Sequence, residues 1–570
     1  MEERIGRRKH TTIKSMLERN SKDFKDNIAI YRKNKKYEYE PITYAELKKD
    51  VDAVGEILLK MGLKDKKIAI IGKNSYEWLV SYLATICGVG IVVPLDRQLS
   101  DYEIESYMKR IDIELLFYSS EFEERIMKLK DKLSIKKYVR LQGKKMFFKD
   151  DTLETLLKKG KALLGKGNRD YEKISIDPCE TKSLIFTSGT TSEPKIVMLS
   201  HQNIIHTNNS ITEHIKVFPE DKFFSVLPFN HVFELSCGIL TGLSAGSSIV
   251  ICDDLHSIGE DMKKTSPSCI LVVPKMLDVF LNRIDMALNE MGNTKYLVKA
   301  LSKITNVTDK LFITKKKTVF KKIHDNFGGR MRFFGVGGAA PNPITAKRLE
   351  ELGFPVRQGY GLTECGPLVA FNSDNDYDHA AAGKPASCEI KILNPNEKGI
   401  GEIIVKGNQV FNGYYEDEES TKKAIDEDGF FHTGDLGFID SKGFLRVTGR
   451  CKNIIVMENG KNISPEEIES KIGSTDIIKE VVVTLGKNEE GKEILIAEIE
   501  VEDEILLRMK TNPDEKKKIT EIISNYINEA NKKLAVYKRI QDFKIRGEAF
   551  VRTTTLKVKR YLANEVNEPD

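Results

Sequence analysis

A short run of hydroxyl-bearing residues around a glycine is the stretch of this sequence best suited to chemistry. An apolar, strand-like segment leads into the run, which consists of Thr187, Ser188, Gly189, Thr190, Thr191 and, at its close, Lys195. Hydroxyls and backbone N–H groups bind polyphosphates, and a lysine adds a point charge. The GxxxxGK[ST] pattern of a Walker A loop is not met. The run therefore predicts a phosphate-binding loop of another kind, and a polar surface turn is the alternative interpretation.

Two further groups of residues carry side chains that suit a nucleotide. Tyr360 offers an aromatic ring for stacking on a base, Gly361 lets backbone approach a ligand, and Glu364 is an oxygen ligand of the type that Mg²⁺ prefers. Asp435 carries one carboxylate able to accept from both ribose hydroxyls, and Arg450 suits a ribose or phosphate contact. The simpler interpretation makes Asp435 a turn residue and the other two charged groups solvent-facing.

These residues must be positioned by the elements that precede them. Residues 67–72 and 90–95 predict buried strands, and Ser75 can cap a helix between them, which makes one βαβ unit. Similar apolar runs recur at residues 183–186, 247–252, 269–273 and 332–334. Repeated βα units predict an α/β fold of parallel sheets with helices on both faces. Ligands of such sheets bind in the loops at the strand C-termini, where the hydroxyl-rich run lies.

The pattern changes near residue 402. Short segments separated by Gly and Asp then predict an antiparallel, β-barrel-like region. After Arg450, Ser464, Pro465 and Glu467 predict the N-cap, first position and capping box of a helix.

Residues 479–485 and 493–501 predict strands and residues 513–535 a charged helix. We therefore expect a large N-terminal domain, residues 1–449, and a small mobile α+β C-terminal domain, residues 450–570.

The motifs together resemble those of the adenylate-forming superfamily, which holds acyl-CoA synthetases, luciferases and peptide-synthetase adenylation domains. The matching stretches cover nearly the whole chain and lie at residues 187–195, 227–231, 335–341, 358–364, 401–402, 432–435, 449–450, 459–469 and 552–560. Each motif alone is weak, but their order and spacing make a strong signal. Within the superfamily the sequence is similar to AMP-dependent long-chain fatty acyl-CoA synthetases.

The resemblance implies ATP, Mg²⁺ and coenzyme A as ligands. It implies nucleotide contacts from the hydroxyl-rich run and from Gly337, Gln358, Gly359, Tyr360, Gly361, Thr363, Asp435 and Arg450. It also implies that Thr187 and Glu364 bind the metal. His231 is implied to line the acyl pocket near the α-phosphate, and a structural histidine is the alternative interpretation.

The resemblance assigns a second set of roles to the C-terminal region. Lys557 is implied to bridge the substrate carboxylate and the α-phosphate, where a cation lowers the barrier as two anions meet. Lys559, two residues away, is the alternative lysine and is interpreted as a solvated side chain. The hinge is implied at residues 450–452, with Lys452 as its pivot. The domain swing then brings in the face around Gly460, past which pantetheine reaches the adenylate.

Three glycines of the family pattern are replaced. Ser192 and Ile196 stand in or beside the phosphate loop, and Leu556 precedes Lys557. If any of these positions requires a positive φ, we expect about 1–3 kcal/mol of backbone strain there.

The substrate class follows from a further similarity. Residues 281–330 are helical in pattern with apolar residues among lysines, as in fatty-acyl members, which favours a medium- or long-chain fatty acid. The pocket is expected near Phe233, Gly335 and the backbone of Val336. Three alternatives stay open: a ligase that loads an acyl-carrier protein, a non-catalytic relative that binds nucleotide, and a dinucleotide oxidoreductase. The last arises because residues 335–340 satisfy G-x-G-x-x-[GA].

The composition excludes several classes of protein. The 570 residues carry 90 basic and 85 acidic side chains, a net charge of +5, which is too balanced for a nucleic-acid-binding protein.

The eight cysteines are scattered singly, as in a reducing compartment. We find no signal peptide and expect a cytoplasmic protein, with peripheral membrane contact and a homodimer left open. The short basic patches are interpreted as solvated faces, or as sites for CoA phosphates or an anionic membrane.

Overall fold

The computed structural model describes residues 9–34, 36–143, 151–187, 194–290, 320–457, 462–473, 475, 477–488, 490–553, 558, 560 and 563. The chain divides into two units: Met1–Glu389 with Val405–Phe431, and Ile390–Ile404 with His432–Asp570. The division places residues 432–449 in the second unit, whereas the sequence predicts a boundary at residue 450. The hinge at residues 450–452 stays a prediction.

Two sheets organise the first unit. Its strands are β1 Ile28–Lys33, β2 Tyr39–Thr43, β3 Lys66–Ile71, β4 Gly90–Leu95, β5 Leu115–Tyr118, β6 Lys137–Arg140, β7 Asp151–Thr152, β8 Thr181–Thr187, β9 Lys195–Ser200, β10 Lys222–Ser225, β11 Ser248–Ile251, β12 Cys269–Val272, β13 Phe333–Val336, β14 Val356–Gly361, β15 Leu368–Phe371 and β16 Lys384–Pro385. A seven-stranded sheet has the order β7-β6-β5-β3-β4-β8-β9, and a nine-stranded sheet has the order β16-β15-β14-β13-β12-β10-β11-β1-β2.

Most neighbouring strands of these sheets are parallel, and antiparallel pairs occur only toward the edges. In the seven-stranded sheet β9 runs antiparallel to β8. In the nine-stranded sheet β2 at one end and β15 and β16 at the other are antiparallel to their neighbours. The predicted α/β fold class, with parallel sheets in a large N-terminal part, is confirmed.

Helices connect the strands of the first unit. They are α1 Ile13–Asp23, α2 Tyr44–Lys60, α3 Tyr76–Ala84, α4 Asp101–Ile111, α5 Glu123–Leu129, α6 Leu153–Gly165, α7 Asp170–Lys173, α8 His201–His214, α9 Thr241–Ser244, α10 Ile258–Thr265, α11 Pro274–Glu290, α12 Lys321–Asn326, α13 Pro343–Glu351 and α14 Glu418–Ala424. None of the described helices is both long and apolar enough to cross a membrane.

The first predicted βαβ unit shows why this sequence folds as it does. The buried residues of β3 and β4 are mainly Ile, Val and Leu, which suit a sheet covered on both faces. Between them, the Ser75 side chain accepts from the backbone N–H of Trp78 and caps α3 as predicted. A π-helical turn, Thr85–Val89, then leads into β4.

The strands that lie mainly in the second unit are partly antiparallel. They are β17 Glu389–Leu393, β18 Gly401–Lys406, β19 Phe431–Ile439, β20 Leu445–Arg450, β21 Ile455–Val456, β22 Asn462–Ile463, β23 Ile478–Lys487, β24 Glu493–Val501 and β25 Asp542–Ile545. The first four form one sheet in sequence order, and β23, β24 and β25 form another. The helices are α15 Pro465–Ile472, α16 Asp503–Thr511 and α17 Pro513–Lys532. The smaller α+β unit is confirmed, and its mobility stays a prediction.

One local prediction in this unit is wrong. Helix α15 does begin at Pro465 after Ser464, but the Ser464 side chain forms no capping hydrogen bond with it. Instead the Ser464 hydroxyl lies 2.9 Å from the carbonyl oxygen of Thr448 on β20 and 3.0 Å from a Glu466 carboxylate oxygen. The Ser464 hydroxyl thus donates to a carbonyl on another strand and does not accept from a backbone N–H of its own helix. Sequence spacing alone cannot show this choice of partner.

Candidate active site

The loops at the carboxyl ends of the two large sheets come together in the first unit. Asn74 follows β3, and its amide donates to the carbonyl of Leu227 over 2.8 Å and accepts from the backbone N–H of Phe229 over 3.0 Å. In the same loop after β10, His231 Nε2 lies 3.7 Å from the carboxylate of Asp96, which follows β4. The predicted site residue His231 thus lies where the two sheet edges face each other.

Both ends of the hydroxyl-rich run are held on adjacent strands. Thr187 at the end of β8 is paired with Lys195 at the start of β9, and the Thr187 hydroxyl donates to the Lys195 carbonyl over 3.2 Å. Arg110 donates to the carbonyl of Pro194 over 2.7 Å. Ser188, Gly189, Thr190 and Thr191 lie outside the described residues, so their phosphate contacts stay a prediction.

The central group of side chains in this unit consists of Lys195, Tyr414 and Glu364. Lys195 Nζ lies 4.3 Å from the centre of the Tyr414 ring. The Tyr414 hydroxyl donates to Glu364 Oε1 over 3.1 Å. Burial, and next the neighbouring Glu364 carboxylate, raise the pKa of Tyr414, so its hydroxyl remains a donor. No described carboxylate lies within ion-pair distance of Lys195.

Backbone contacts hold this group in place. Residues 412–415 lie along β9, with hydrogen bonds from Met198 to Gly413 and from Tyr415 to Ile196. The backbone N–H of Phe411 donates to the Glu364 carbonyl over 2.8 Å. Sequence analysis missed Tyr414, because its segment is distant in sequence and matches none of the motifs.

Gly361 is required by the protein's own backbone, and its expected contact with a ligand stays a prediction. A Cβ atom at Gly361 would lie 1.8 Å from the carbonyl oxygen of Pro367, which directly precedes the adjacent strand β15. Protein backbone therefore requires this glycine, whether or not a ligand approaches it. Gly359 and Tyr360 lie on β14, paired with Phe371 and Ala370 of β15.

The other predicted residues near β14 occupy defined positions. Gln358 is buried, and its carbonyl accepts from the backbone of Asn372 over 2.8 Å. Thr363 begins the single 3₁₀ turn that carries Glu364. Gly366 follows this turn, and its carbonyl accepts a hydrogen bond from the Ser236 hydroxyl over 3.2 Å.

Gly337 packs against the segment expected to line the acyl pocket. A Cβ at Gly337 would lie 2.7 Å from the ring of Phe233, so only a glycine leaves room for this aromatic side chain. Phe233 begins a π-helical segment, Phe233–Leu240, that follows the loop carrying His231. The two predicted positions thus meet, although the assignment of an acyl pocket to them stays a prediction.

Glu234, beside Phe233, is a buried carboxyl group that sequence analysis overlooked. It accepts a short hydrogen bond from the Ser225 hydroxyl at the end of β10, and its Oε2 has no partner among the described residues. Burial raises the pKa of Glu234 to about 8, against an ordinary value near 4.5. The group is therefore largely protonated at neutral pH.

In the second unit, Asp435 and Arg450 face each other on paired strands β19 and β20. Arg450 Nε lies 2.7 Å from Asp435 Oδ1, with the Asp435 side chain only 5% exposed and that of Arg450 48% exposed. The backbone N–H of Asp435 donates to the Thr433 hydroxyl over 3.0 Å. Sequence analysis proposed ligand contacts for both charges and did not foresee that they pair with each other.

Glu402, part of another matched motif, organises the same hairpin. Its carboxylate accepts from the backbone N–H of Gly434 over 3.1 Å and lies 3.1 Å from His432 Nδ1. Lys452 lies on a single 3₁₀ turn, Cys451–Asn453, directly after β20. Gly460 and Lys557 lie outside the described residues, as does Lys559, so the roles expected of them stay predictions.

The replaced glycine at position 196 causes no strain. Ile196 lies in β9, fully buried and paired with Phe186, and it does not adopt a positive φ. An extended, core-facing position accepts isoleucine well. Ser192 and Leu556 lie outside the described residues.

The donor set fits Mg²⁺ better than a transition metal. Thr187 and Glu364 offer a hydroxyl and a carboxylate, and Mg²⁺ in nucleotide sites commonly takes one or two protein oxygens beside phosphates and waters. Among the described residues no group of three His, Cys, Asp or Glu side chains gathers to form an all-protein metal site.

Comparison with known proteins places the chain in a family. A family model described as AMP-binding enzyme matches residues 17–415, and one described as AMP-binding enzyme C-terminal domain matches residues 452–565. The chain belongs to the AMP-binding enzyme family. The resemblance found in the motifs is thereby confirmed.

Among the curated relatives of this AMP-binding enzyme is a Rattus norvegicus protein named long-chain-fatty-acid–CoA ligase 5. The two are 30% identical over 498 residues, which cover 80% of this chain and 70% of the relative. Another, from Arabidopsis thaliana, is named long-chain-fatty-acid–[acyl-carrier-protein] ligase AEE15, chloroplastic; it is 27% identical over 522 residues, covering 78% of this chain and 70% of the relative.

A solved structure supports the same fold. The anthranilate CoA ligase AuaEII in complex with anthranoyl-AMP matches 97% of this chain and 96% of its own, with a TM-score of 0.76 and 17% identity. The oxidoreductase hypothesis fails, because residues 335–340 fall within the AMP-binding match. Moreover, the following helix α13 begins at Pro343 and is capped by the Asn342 side chain.

Proposed function

We propose that this AMP-binding enzyme is an AMP-forming acid–thiol ligase that activates a medium- or long-chain fatty acid and transfers it to coenzyme A. The family membership and the names of the similar relatives support the reaction class and the fatty-acid substrate. The observation that carries the proposal is Lys195, a cation without an ion-pair partner among the described residues, beside Glu364 and Thr187 at the converging sheet edges.

In the first half-reaction a fatty-acid carboxylate attacks the α-phosphorus of ATP, and pyrophosphate leaves. Lys195 and the hydroxyl-rich run bind the departing phosphates, because a fixed cation and donors stabilise the charge that develops on them. Thr187 and Glu364 would hold Mg²⁺, which when bound neutralises charge on the phosphate oxygens. Asp435 accepts from the ribose hydroxyls, while Tyr360 stacks on the base.

In the second half-reaction the thiol of coenzyme A attacks the acyl-adenylate carbonyl, and AMP leaves. Lys557 serves the first step and is withdrawn for the second by a swing about Lys452, which brings the face around Gly460 to the site. Such domain closure lets one site perform two steps. Arg450 contacts ribose or phosphate in one of these states.

Fatty-acid-dependent ATP–pyrophosphate exchange across chain lengths tests the first half-reaction. We expect exchange with acids of about eight carbons or more, and a loss of about 10²-fold or more in Lys557→Ala, as expected when a charge contact in the transition state is removed. Lys559→Ala is the matched control, since it removes a nearby lysine and should retain exchange. Equal exchange by Lys557→Ala and wild type would reject the role of Lys557.

The acceptor needs its own measurement. Relatives of both acceptor classes are similar to this chain, one named a CoA ligase and one an acyl-carrier-protein ligase. With preformed acyl-adenylate, we expect thioester formation with coenzyme A at a higher rate than with a phosphopantetheinylated carrier protein. The opposite ranking would favour the carrier-protein ligase, and absence of exchange with every acid would favour the non-catalytic relative.

A further inference from the structure

A cavity lies between three helices of the first unit, away from the residues assigned above. It measures about 350 Å³, is partly open, and is lined chiefly by residues of α10, α11 and α12. Its walls are chiefly apolar, formed among others by Met262, Phe280, Ile284, Ala287, Ile323 and Phe327. Cavities of this size and lining commonly take small organic ligands.

Two cations at the cavity have no partner in the part of the chain that the structure describes. Lys263 and Arg283 both line it and are exposed, and neither has an ion-pair or hydrogen-bond partner among the described residues. Two nearby cations, by contrast, form ion pairs: Lys264 Nζ lies 3.6 Å from Glu260, and Arg348 lies 3.6 Å from Asp285. Glu260, the acidic group in the lining, is thus already paired outside it. The lining therefore combines an apolar interior with a net positive charge, two cations against the one carboxylate of Glu260.

The cavity lies on the opposite face of the nine-stranded sheet from the expected acyl pocket. Side chains of a strand alternate between faces, and on β13 the Phe334 ring packs 5.8 Å from Phe280 and 6.0 Å from Phe327. The adjacent Phe333 points the other way, its ring 6.4 Å from that of Phe223. The sheet itself therefore separates the two regions.

We propose that this cavity is a second binding site for a free long-chain fatty acid, whose alkyl chain lies against Phe280 and Phe327 and whose carboxylate pairs with Lys263 and Arg283. An alkyl chain matches the apolar walls, and a single carboxylate matches two cations that have no partner among the described residues. The concave shape suits one alkyl chain better than the flat surface of a bilayer does. The site does not depend on the reaction proposed above, because none of its lining residues takes part in that reaction.

Photo-crosslinking with a diazirine-bearing palmitic acid tests the site on the full chain. The adenylation site is first saturated with a non-hydrolysable palmitoyl-adenylate analogue, so that only other sites remain. We expect labelled peptides from α10, α11 and α12, as located by mass spectrometry. Labelling that disappears once the analogue is bound would overturn the proposal, and so would the absence of label from these helices.

Variants make the test specific. Ala287→Trp fills the cavity, and Lys263→Glu combined with Arg283→Glu reverses the charge at its rim, so each should reduce labelling about 10-fold or more. Lys264→Glu is the matched control, since this paired lysine on the same helix lies outside the lining, and it should label as the wild type does. Undiminished labelling of Ala287→Trp would exclude the cavity.

Two readouts separate this proposal from others. ATP–pyrophosphate exchange should be unchanged in Ala287→Trp, and a chain that failed to adenylate would still show the label if the cavity binds fatty acid. Sedimentation with phosphatidylglycerol vesicles distinguishes a membrane surface. Vesicle binding that depends on Lys263 and Arg283, without labelling by the free acid, would replace the proposed ligand with an anionic bilayer.

Discussion

The two units of this AMP-binding enzyme hold their key charges in different ways. In the first unit, Glu364 accepts from the neutral Tyr414 hydroxyl, and Lys195 lies over the same ring without an ion-pair partner among the described residues. In the second unit, the buried Asp435 is paired directly with Arg450 over 2.7 Å. One arrangement keeps a cation available, and the other neutralises a carboxylate within the hairpin.

This difference in ion pairing affects the free-energy cost of binding a ligand in each region. Lys195 has no ion pair with a described residue that a phosphate would have to break, whereas a ribose bound to Asp435 must share that carboxylate with Arg450 or displace the guanidinium. Breaking a partly buried ion pair carries a free-energy cost that an exposed pair does not. We therefore expect substitutions in the first region to act mainly on catalysis, and those in the second to act on both nucleotide binding and stability.

The largest expected effect is that of Lys195→Ala. Loss of this cation should lower kcat/KM for ATP by about 10²-fold, because it stabilises charge developing on the departing phosphates. Stability should change by only about 1 kcal/mol, the scale of a cation–π contact. Steady-state kinetics and thermal unfolding measure the two effects.

A matched control exists for Lys195 in the same unit. Lys67 lies 4.9 Å from the centre of the Tyr415 ring and donates to the Tyr415 hydroxyl over 2.6 Å. Lys67→Ala removes a similar lysine–tyrosine contact outside the proposed site and should leave kcat/KM nearly unchanged. Equal losses in both variants would show that Lys195 is structural, and the contrast between the two regions would collapse.

Arg450→Ala should produce an intermediate effect. The buried Asp435 carboxylate would then lose its ion pair with Arg450, so we expect about a 10-fold rise in KM for ATP and a loss of about 1–2 kcal/mol in stability. Arg446→Ala is the control, because Arg446 pairs with Asp440 over 2.8 Å on the same hairpin. A loss of stability in Arg450→Ala with KM unchanged would confine Arg450 to a structural role.

Tyr414→Phe sharpens the comparison within the first region. The ring under Lys195 remains, but the hydrogen bond to Glu364 is lost, which is worth about 1 kcal/mol and predicts roughly a 5-fold fall in kcat/KM. The Mg²⁺ concentration needed for half-maximal exchange should rise as well, since the Glu364 carboxylate loses a positioning contact. An unchanged Mg²⁺ dependence would argue that Tyr414 does not position the metal ligand.

The smallest expected effect concerns pH and the buried Glu234. Its pKa is raised to about 8, so between about pH 4.5 and 8 the folded chain keeps a proton that the unfolded chain has lost. Stability from this group therefore falls as pH rises through that window, by about 1.4 kcal/mol per pH unit at most. Glu234→Gln should flatten this part of the stability–pH curve.

The control for this measurement is Glu220→Gln, which changes an exposed carboxyl near the same strand. Its unfolding profile should parallel that of the wild type from pH 5 to pH 8. A wild-type slope that Glu234→Gln leaves unaltered would mean that the carboxyl is ionised in the folded chain.

Much of the fold could be predicted from local pattern. Strands such as β4 and β24 lie where predicted, and Ser75 caps its helix, because burial on both faces and a short-range cap leave signals within a few residues. The positions of the loops at the strand ends follow from the same local signals, because they are the segments between the predicted strands and helices. The boundary between the units was less evident, since residues 390–404 join the second unit through pairing that spans many residues.

The sequence by itself determined the residue types of the site: hydroxyls and Lys195 for phosphates, Glu364 for a metal, Asp435 for a ribose. Only the tertiary structure decided their partners, because Tyr414, Arg450 and the Thr448 carbonyl reach Glu364, Asp435 and Ser464 from other strands or loops. It likewise decided that Gly361 is required by a neighbouring carbonyl and that Glu234 is buried. Hydrogen bonds and burial between distant segments depend on packing, which leaves no local pattern to identify them.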